Sequence, residues 1–170
     1  MAQELISVSK SEVLKGLLDR LASEIAGLTA SARSAHQAAT HEESKAEDRH
    51  DTFAIEASYL AAGQSARVLE LEKVRGEVEG YLAGFTPSDR IAPGCLVGYQ
   101  SDEGFHWVLM AKSGGGFRAL VSSSVQEKVP VQILSIHSPL GGELLGLRVG
   151  DDCEVEIKGV VKEFMVLRVE

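Results

Sequence analysis

Two heptad seams that mirror each other constrain this chain more than any other feature. Leu14, Leu18, Leu21, Ile25, Leu28, Ala32, Ala35 and Ala39 recur at alternating steps of four and three. Such steps keep one apolar stripe on one side of an α-helix. Ala57, Ala61, Gln64, Val68, Leu71, Val74, Val78 and Leu82 follow at near-heptad spacing. Folding the second stretch back on the first pairs Leu14 with Leu82, Leu18 with Val78, Ile25 with Leu71, and Leu28 with Val68. It also pairs Ala32 with Gln64, Ala35 with Ala61 and Ala39 with Ala57, all symmetric about residue 48. The spacing therefore predicts an antiparallel helical hairpin over residues 1–84, roughly 50 Å long, turning within Lys45-Ala46-Glu47-Asp48-Arg49-His50-Asp51. Ser9 and Glu12 form a capping-box pattern for a start near Lys10. The seam is Leu and Ile near the base and Ala from Ala32 outward. Small residues bury little area, so a thin and less stable outer half is expected. Gln64 is a polar seam position suited to setting register.

After Gly84 the periodicity changes. Residues 85–94 contain Pro87 and Pro93 and read as a linker. Residues 95–170 read as strands over 95–99, 105–111, 117–121, 131–136, 153–157 and 160–169, with Lys158-Gly159 as a tight hairpin turn. A short helix lies between the fourth and fifth strands, with Ser138 as N-cap, Pro139 at its first position and Gly146 just past its end. The fold class is α+β: a coiled-coil hairpin, a linker, and a small, mostly antiparallel sheet domain with one short helix.

A net charge of −8 and a pI near 5.2 argue against a general nucleic-acid binder or a sequence-specific DNA binder. The acidity is spread, with a net of −5 over residues 1–84 and −3 over 85–170. No apolar run is long enough to cross a membrane, and the N-terminus lacks the regions of a signal peptide, so a cytoplasmic monomer with no membrane partner is expected. Cys95 and Cys153 are too few for a disulfide framework and read as buried thiols.

The chemistry-bearing cluster is the hairpin turn. Glu42, Glu43, Glu47, Asp48, Asp51 and Glu56 place six carboxylates within 15 residues. A solvated helix end explains such acids without a function. Asp48 and Asp51, three apart, also suit Mg²⁺, which commonly takes one or two carboxylates and completes its shell from water and a partner. Two acids make no free-standing metal site, so no cofactor of the chain's own is expected. The histidines His36, His41, His50, His106 and His137 lack zinc spacing. Gly114-Gly115-Gly116 precedes no helix and reads as a turn rather than a phosphate cradle. Ser122-Ser123-Ser124 reads as loop, and Trp107 and Phe164 as core.

The pattern as a whole resembles the Gre (GreA/GreB-like) transcript-cleavage factors of bacterial RNA polymerase. The most specific likeness is Val131-Gln-Ile-Leu-Ser-Ile-His-Ser-Pro-Leu-Gly-Gly-Glu-Leu-Leu-Gly, followed by Val149-Gly150-Asp151-Asp152. It is similar to the signature of that family's FKBP-like domain. Glu56-Ala57-Ser58-Tyr59-Leu60-Ala61-Ala62 resembles the family's Asn-Ala-Glu-Tyr-x-Ala-Ala. The resemblance implies an accessory factor, not an enzyme, that binds RNA polymerase and inserts the hairpin into the secondary channel. There Asp48 and Asp51, with Glu47 beside them, would assist cleavage of backtracked RNA near its 3′ end through a Mg²⁺ shared with the polymerase. Ser138, Pro139, Leu140, Leu144, Leu145 and Gly146 are the implied polymerase contacts.

The chain departs from the family in two ways. Asp51 stands where the family has glutamate, and it lies eight residues before Tyr59 rather than four, the four-before position being Ile55. Asp-x-x-Asp also resembles the tip of the secondary-channel regulator DksA, so a non-cleaving regulator or inhibitor is the alternative. Two other classes stand further off. A peptidyl-prolyl isomerase needs an apolar, aromatic pocket. A coiled-coil scaffold needs apolar positions on the hairpin's outer face, which reads mostly as Ser, Glu, Lys, Arg and Gln.

Overall fold

The computed structural model describes residues 7–42, 50–84, 88–125 and 127–170, with the side chains of all of these except 38–42, 50–54 and 57. Two long helices, α1 (Lys10–Glu42) and α2 (His50–Ala83), precede six strands: β1 (Leu96–Ser101), β2 (Gly104–Ala111), β3 (Arg118–Ser122), β4 (Lys128–Ser135), β5 (Asp152–Ile157) and β6 (Val160–Val169). A short helix, α3 (Pro139–Leu144), sits between β4 and β5. These are the elements and the order that the sequence periodicity predicts. By packing, residues 19–75 form one compact unit, and residues 1–18 with 76–170 form the other. The second unit is larger than the 95–170 stretch because it includes the base of both helices.

In the helical unit the burial follows the seam. Leu21, Ile25, Leu71 and Val74 are buried, and Leu28, Ala32, Ala35, Ala61, Gln64 and Val68 are half-buried. Gln64 Nε2 donates to Ser31 Oγ at 2.8 Å, beside the expected partner Ala32. Its other amide atom, Oε1, is buried with no hydrogen-bond partner among the described residues. A buried orphan acceptor costs about 1–3 kcal/mol, more than a typical net hydrogen bond returns. Gln64→Leu should therefore raise stability by about 1 kcal/mol, seen as a thermal midpoint higher by roughly 2–4 °C. A lower midpoint would mean that the Ser31 bond outweighs the orphan oxygen.

One expectation about the helices needs correction. Leu82 does not pack as a seam residue opposite Leu14; it is 42% exposed, and Tyr81 is the half-buried residue there. Among the mostly polar outer positions of α2, Ile55, Tyr59 and Leu69 are exposed apolar side chains.

The sheet unit is one six-stranded sheet in the order β3-β4-β2-β1-β6-β5. Every neighbouring pair is antiparallel except β2 and β4, which run parallel from Trp107 opposite Val131 to Ala111 opposite Ser135. Alternation along the strands gives the sheet two faces. Val97, Tyr99, Val108, Met110, Leu134, Val155, Phe164 and Val166 share a core with Ile91 and Leu144. Trp107, Leu109, Val131, Ile133, Ala119 and Val121 are buried with the opposite parity. The base of α1 lies on that second face: a methyl group added at Gly16 would stand 3.2 Å from Val121. Val13, Leu14, Leu17 and Val78 are fully buried there or close by, each contributing about 1.5–3 kcal/mol of burial.

The base of α2 is fastened by one carboxylate. Glu77 accepts from the backbone N–H of Lys112 at 2.6 Å and of Ser113 at 3.1 Å, and from the hydroxyls of Ser113 and Tyr81. Burial alone would raise the Glu77 pKa, but these four donors together hold it below the ordinary carboxylate value. Burial and the bond to Glu77 push the Tyr81 phenol upward.

Candidate partner-binding site

The segment Ser138–Gly146 is built from the residue types that the sequence singles out. Ser138 has extended backbone (φ −79, ψ 156), and its Oγ accepts from Gly141 N at 3.1 Å, an N-cap geometry. The same hydroxyl donates to Ser135 O at 2.7 Å, closing the β4–α3 turn onto the helix start. Pro139 occupies the first turn, where its missing N–H costs nothing. Gly146 follows the C-cap Leu145 with φ +86, a left-handed conformation that favours glycine.

The far end of α3 is tied to residues before β1. Gly146 N donates to Ile91 O, and Ile91 N donates to Leu147 O, both at 2.8 Å. Arg90 Nη1 donates to Gly146 O at 3.0 Å. Ile91 is 2% exposed and belongs to the core. Residues 88–94, read from sequence as linker, are thus an integral wall of this site. Proline content could not reveal that, because it marks only where a helix stops.

The six expected contact residues fall into three sets. Leu144 is fully buried in the core and Leu140 is half-buried against it. Ser138 and Gly146 shape the backbone through their cap geometry. Pro139 and Leu145 are exposed, and Val149 joins them as a third exposed apolar side chain that sequence reasoning did not single out. The Arg148–Asp89 ion pair at 2.9 Å adds charge at the same end of the sheet unit. Pro139, Leu145 and Val149 are thus exposed apolar side chains on and just after α3.

The tip acids Glu47 and Asp48 lie outside the described residues. Asp51 lies in the first turn of α2, and its side chain is not described. Among the described residues no group of three or more His, Cys, Asp or Glu could hold a metal ion, and no helix is long and apolar enough to cross a membrane. Cys95 and Cys153 are free thiols, the first buried and the second half-buried.

The aromatic side chains that an isomerase pocket would need are largely spent in packing. Tyr99 packs edge-on against Phe164 at 5.6 Å, Phe105 edge-on against Trp107 at 5.3 Å, and Tyr99, Trp107 and Phe164 are all buried. A groove of about 790 Å³ on the sheet does include Tyr99, Phe105, His106 and Trp107, but Arg118, Lys128, Glu103 and Glu127 line it too.

Comparison with known proteins follows the same segment. Residues 118–170 match the family model described as "Transcription elongation factor, GreA/GreB, C-term". The structure of the GreA factor homolog 1 (Gfh1) protein of Thermus thermophilus is similar at 19% identity, covering 92% of this chain and 96% of that one, with a TM-score of 0.35. Thermus aquaticus Gfh1 is similar at 21% identity, covering 91% of this chain and 94% of that one, with a TM-score of 0.36. At those scores the structural likeness carries no functional meaning. No curated protein sequence matches the chain. The family match over residues 118–170 takes in β3, β4, α3, β5 and β6.

Proposed function

We propose that this protein is an accessory factor of RNA polymerase that docks through its sheet unit, inserts the hairpin turn into the secondary channel, and stimulates cleavage of backtracked RNA. The observation that carries the reading is the match to the GreA/GreB C-terminal family model over residues 118–170. It is supported by the exposed apolar surface at Pro139, Leu145 and Val149. Asp48 and Asp51 would supply hard oxygen donors to a Mg²⁺ held mainly by the polymerase. The chain's own part is to bring those acids to the place.

The test adds the protein to stalled, backtracked elongation complexes and follows the release of short 3′ RNA fragments. Wild type should accelerate release. Asp48→Ala and Asp51→Ala should each lower that acceleration by about 10²-fold or more, the scale of losing a group aimed at transition-state charge. Full cleavage by both variants would remove the tip from the reading.

The second reading is a non-cleaving regulator of the same channel, favoured by the placement of Asp51 eight residues before Tyr59. It expects polymerase binding with no fragment release by wild type, and altered initiation or elongation rates instead.

A further inference from the structure

In the sheet unit, β2 and β4 begin at Gly104 and Lys128, but their parallel ladder begins only at Trp107 opposite Val131. Pro130 accounts for the late start. Ile133 N donates toward β3, to Phe117 O, so the even residues of β4 turn their N–H groups toward β2. At Pro130 that donor is missing, and the ladder cannot extend past it. The groove of about 790 Å³ lies at these two strand starts, and no residue of α3 lines it. Its volume falls within the range of about 300–1,000 Å³ found for small-molecule sites.

One buried polar group in the wall of this groove lacks a partner. Tyr99 is 8% exposed, and its ring packs on His106 at 5.2 Å and on Phe164 at 5.6 Å. Its hydroxyl has no hydrogen-bond partner among the described residues, whereas a buried phenol ordinarily finds one. Burial and then Glu103 push the phenol pKa upward, and Arg118 opposes them. The hydroxyl is therefore a donor at neutral pH, with a cation near it. The charges around the groove favour one sign of ligand. Arg118 Nε donates to Gln132 Oε1 at 3.0 Å, which orients the guanidinium and leaves both Nη atoms without an acceptor among the described residues. Lys128 Nζ donates to Ser122 Oγ at 2.9 Å and keeps its other protons. Of the two acids in the lining, Glu103 is held by Lys162, so Glu127 alone opposes the two cations.

We infer that the groove is a binding site for a small acid with an aromatic body, whose carboxylate or phosphate group accepts from Tyr99, Arg118 and Lys128. The body lies against the apolar part of the lining, which includes Phe105, Val108 and Pro130. Hydrogen bonds to an ionised acceptor are roughly twice as strong as neutral ones, and the guanidinium fork suits either acid group. The inference does not depend on the polymerase reading.

The test titrates the full chain with benzoate and with phenyl phosphate at constant ionic strength, following backbone amide signals by NMR. Benzyl alcohol supplies the body without the charge, and inorganic phosphate the charge without the body. At least one of the two aromatic acids should give saturable shifts centred on residues 99–108 and 128–132, and the tighter of them identifies the acid group. Tyr99→Phe and Arg118→Gln should each weaken that binding at least about fivefold, and Glu127→Gln should tighten it severalfold. Tyr99→Phe keeps the packed ring and Arg118 is exposed, so both variants should keep the wild-type amide spectrum away from the groove. The absence of saturable shifts with both acids overturns the inference. So does benzyl alcohol binding as tightly as the acids, which would make the groove simply apolar, and so does inorganic phosphate binding as tightly, which would make it a bare anion site. Wild-type affinity in both Tyr99→Phe and Arg118→Gln would place the acid elsewhere and overturn it too.

Discussion

Gly141→Ala should destabilise the sheet unit by about 3 kcal/mol, and Gly142→Ala, one residue on, should not. A methyl group added at Gly141 would stand 2.0 Å from Ser135 O and 2.9 Å from Ser138 Oγ, whereas at Gly142 the nearest atom is Ile136 O at 3.8 Å. The first cannot be relieved by a side-chain rotation, because the obstacle is a backbone carbonyl. That carbonyl also accepts from Ser138 N at 3.0 Å and from Ser138 Oγ at 2.7 Å. Moving it therefore opens the turn and the helix cap together. Overpacking of this kind costs about 1–3 kcal/mol, and the lost cap adds about 1 kcal/mol. Alanine's better helix propensity returns up to about 1 kcal/mol at either position. Gly141→Ala should lower the thermal midpoint by on the order of 10 °C, and Gly142→Ala should leave it level or raise it slightly. Equal midpoints for the two variants would mean that the β4–α3 turn shifts freely.

Replacing Glu77 should have the next largest effect, with a pH signature. Glu77→Gln keeps the size but points an amide N–H₂ at one of the two backbone donors of residues 112 and 113. Hydrogen bonds to a charged acceptor are worth about 1.5–3 kcal/mol, so a loss of about 2–3 kcal/mol is expected at neutral pH. The folded-state pKa of Glu77 lies below its ordinary value of 4.5. A carboxylate depressed in the folded state contributes stability above its unfolded pKa and loses it as pH falls through the folded value. The gap between wild type and Glu77→Gln should hold constant above about pH 5.5 and narrow below 4.5 in denaturant titrations. A gap that is the same at pH 7 and pH 3 would mean the side chain acts through packing alone.

The contrast between Glu77 and the tip acids shows what spacing can and cannot reveal. The tip acids are conspicuous because they cluster in sequence. Glu77 is one acid among several on a helix, and its partners lie 35 and 36 residues away. The Gly114-Gly115-Gly116 run reads correctly as a turn, yet the backbone just before it does bind an anion, one supplied by the chain itself.

The amino-acid sequence by itself determined the elements. Heptad steps paired the helices, Ser138, Pro139 and Gly146 delimited α3, and Lys158-Gly159 turned β5 into β6, with Lys158 at φ +55 and Gly159 at φ +80. These are local properties, set by side-chain period and backbone sterics within a few residues. Only the tertiary structure decided that Ile91 is core, that β2 and β4 run parallel, that Glu77 clamps the 112–113 loop, and which of two adjacent glycines is indispensable. Each of those depends on what a distant part of the chain places against the residue, and no spacing along the chain records that.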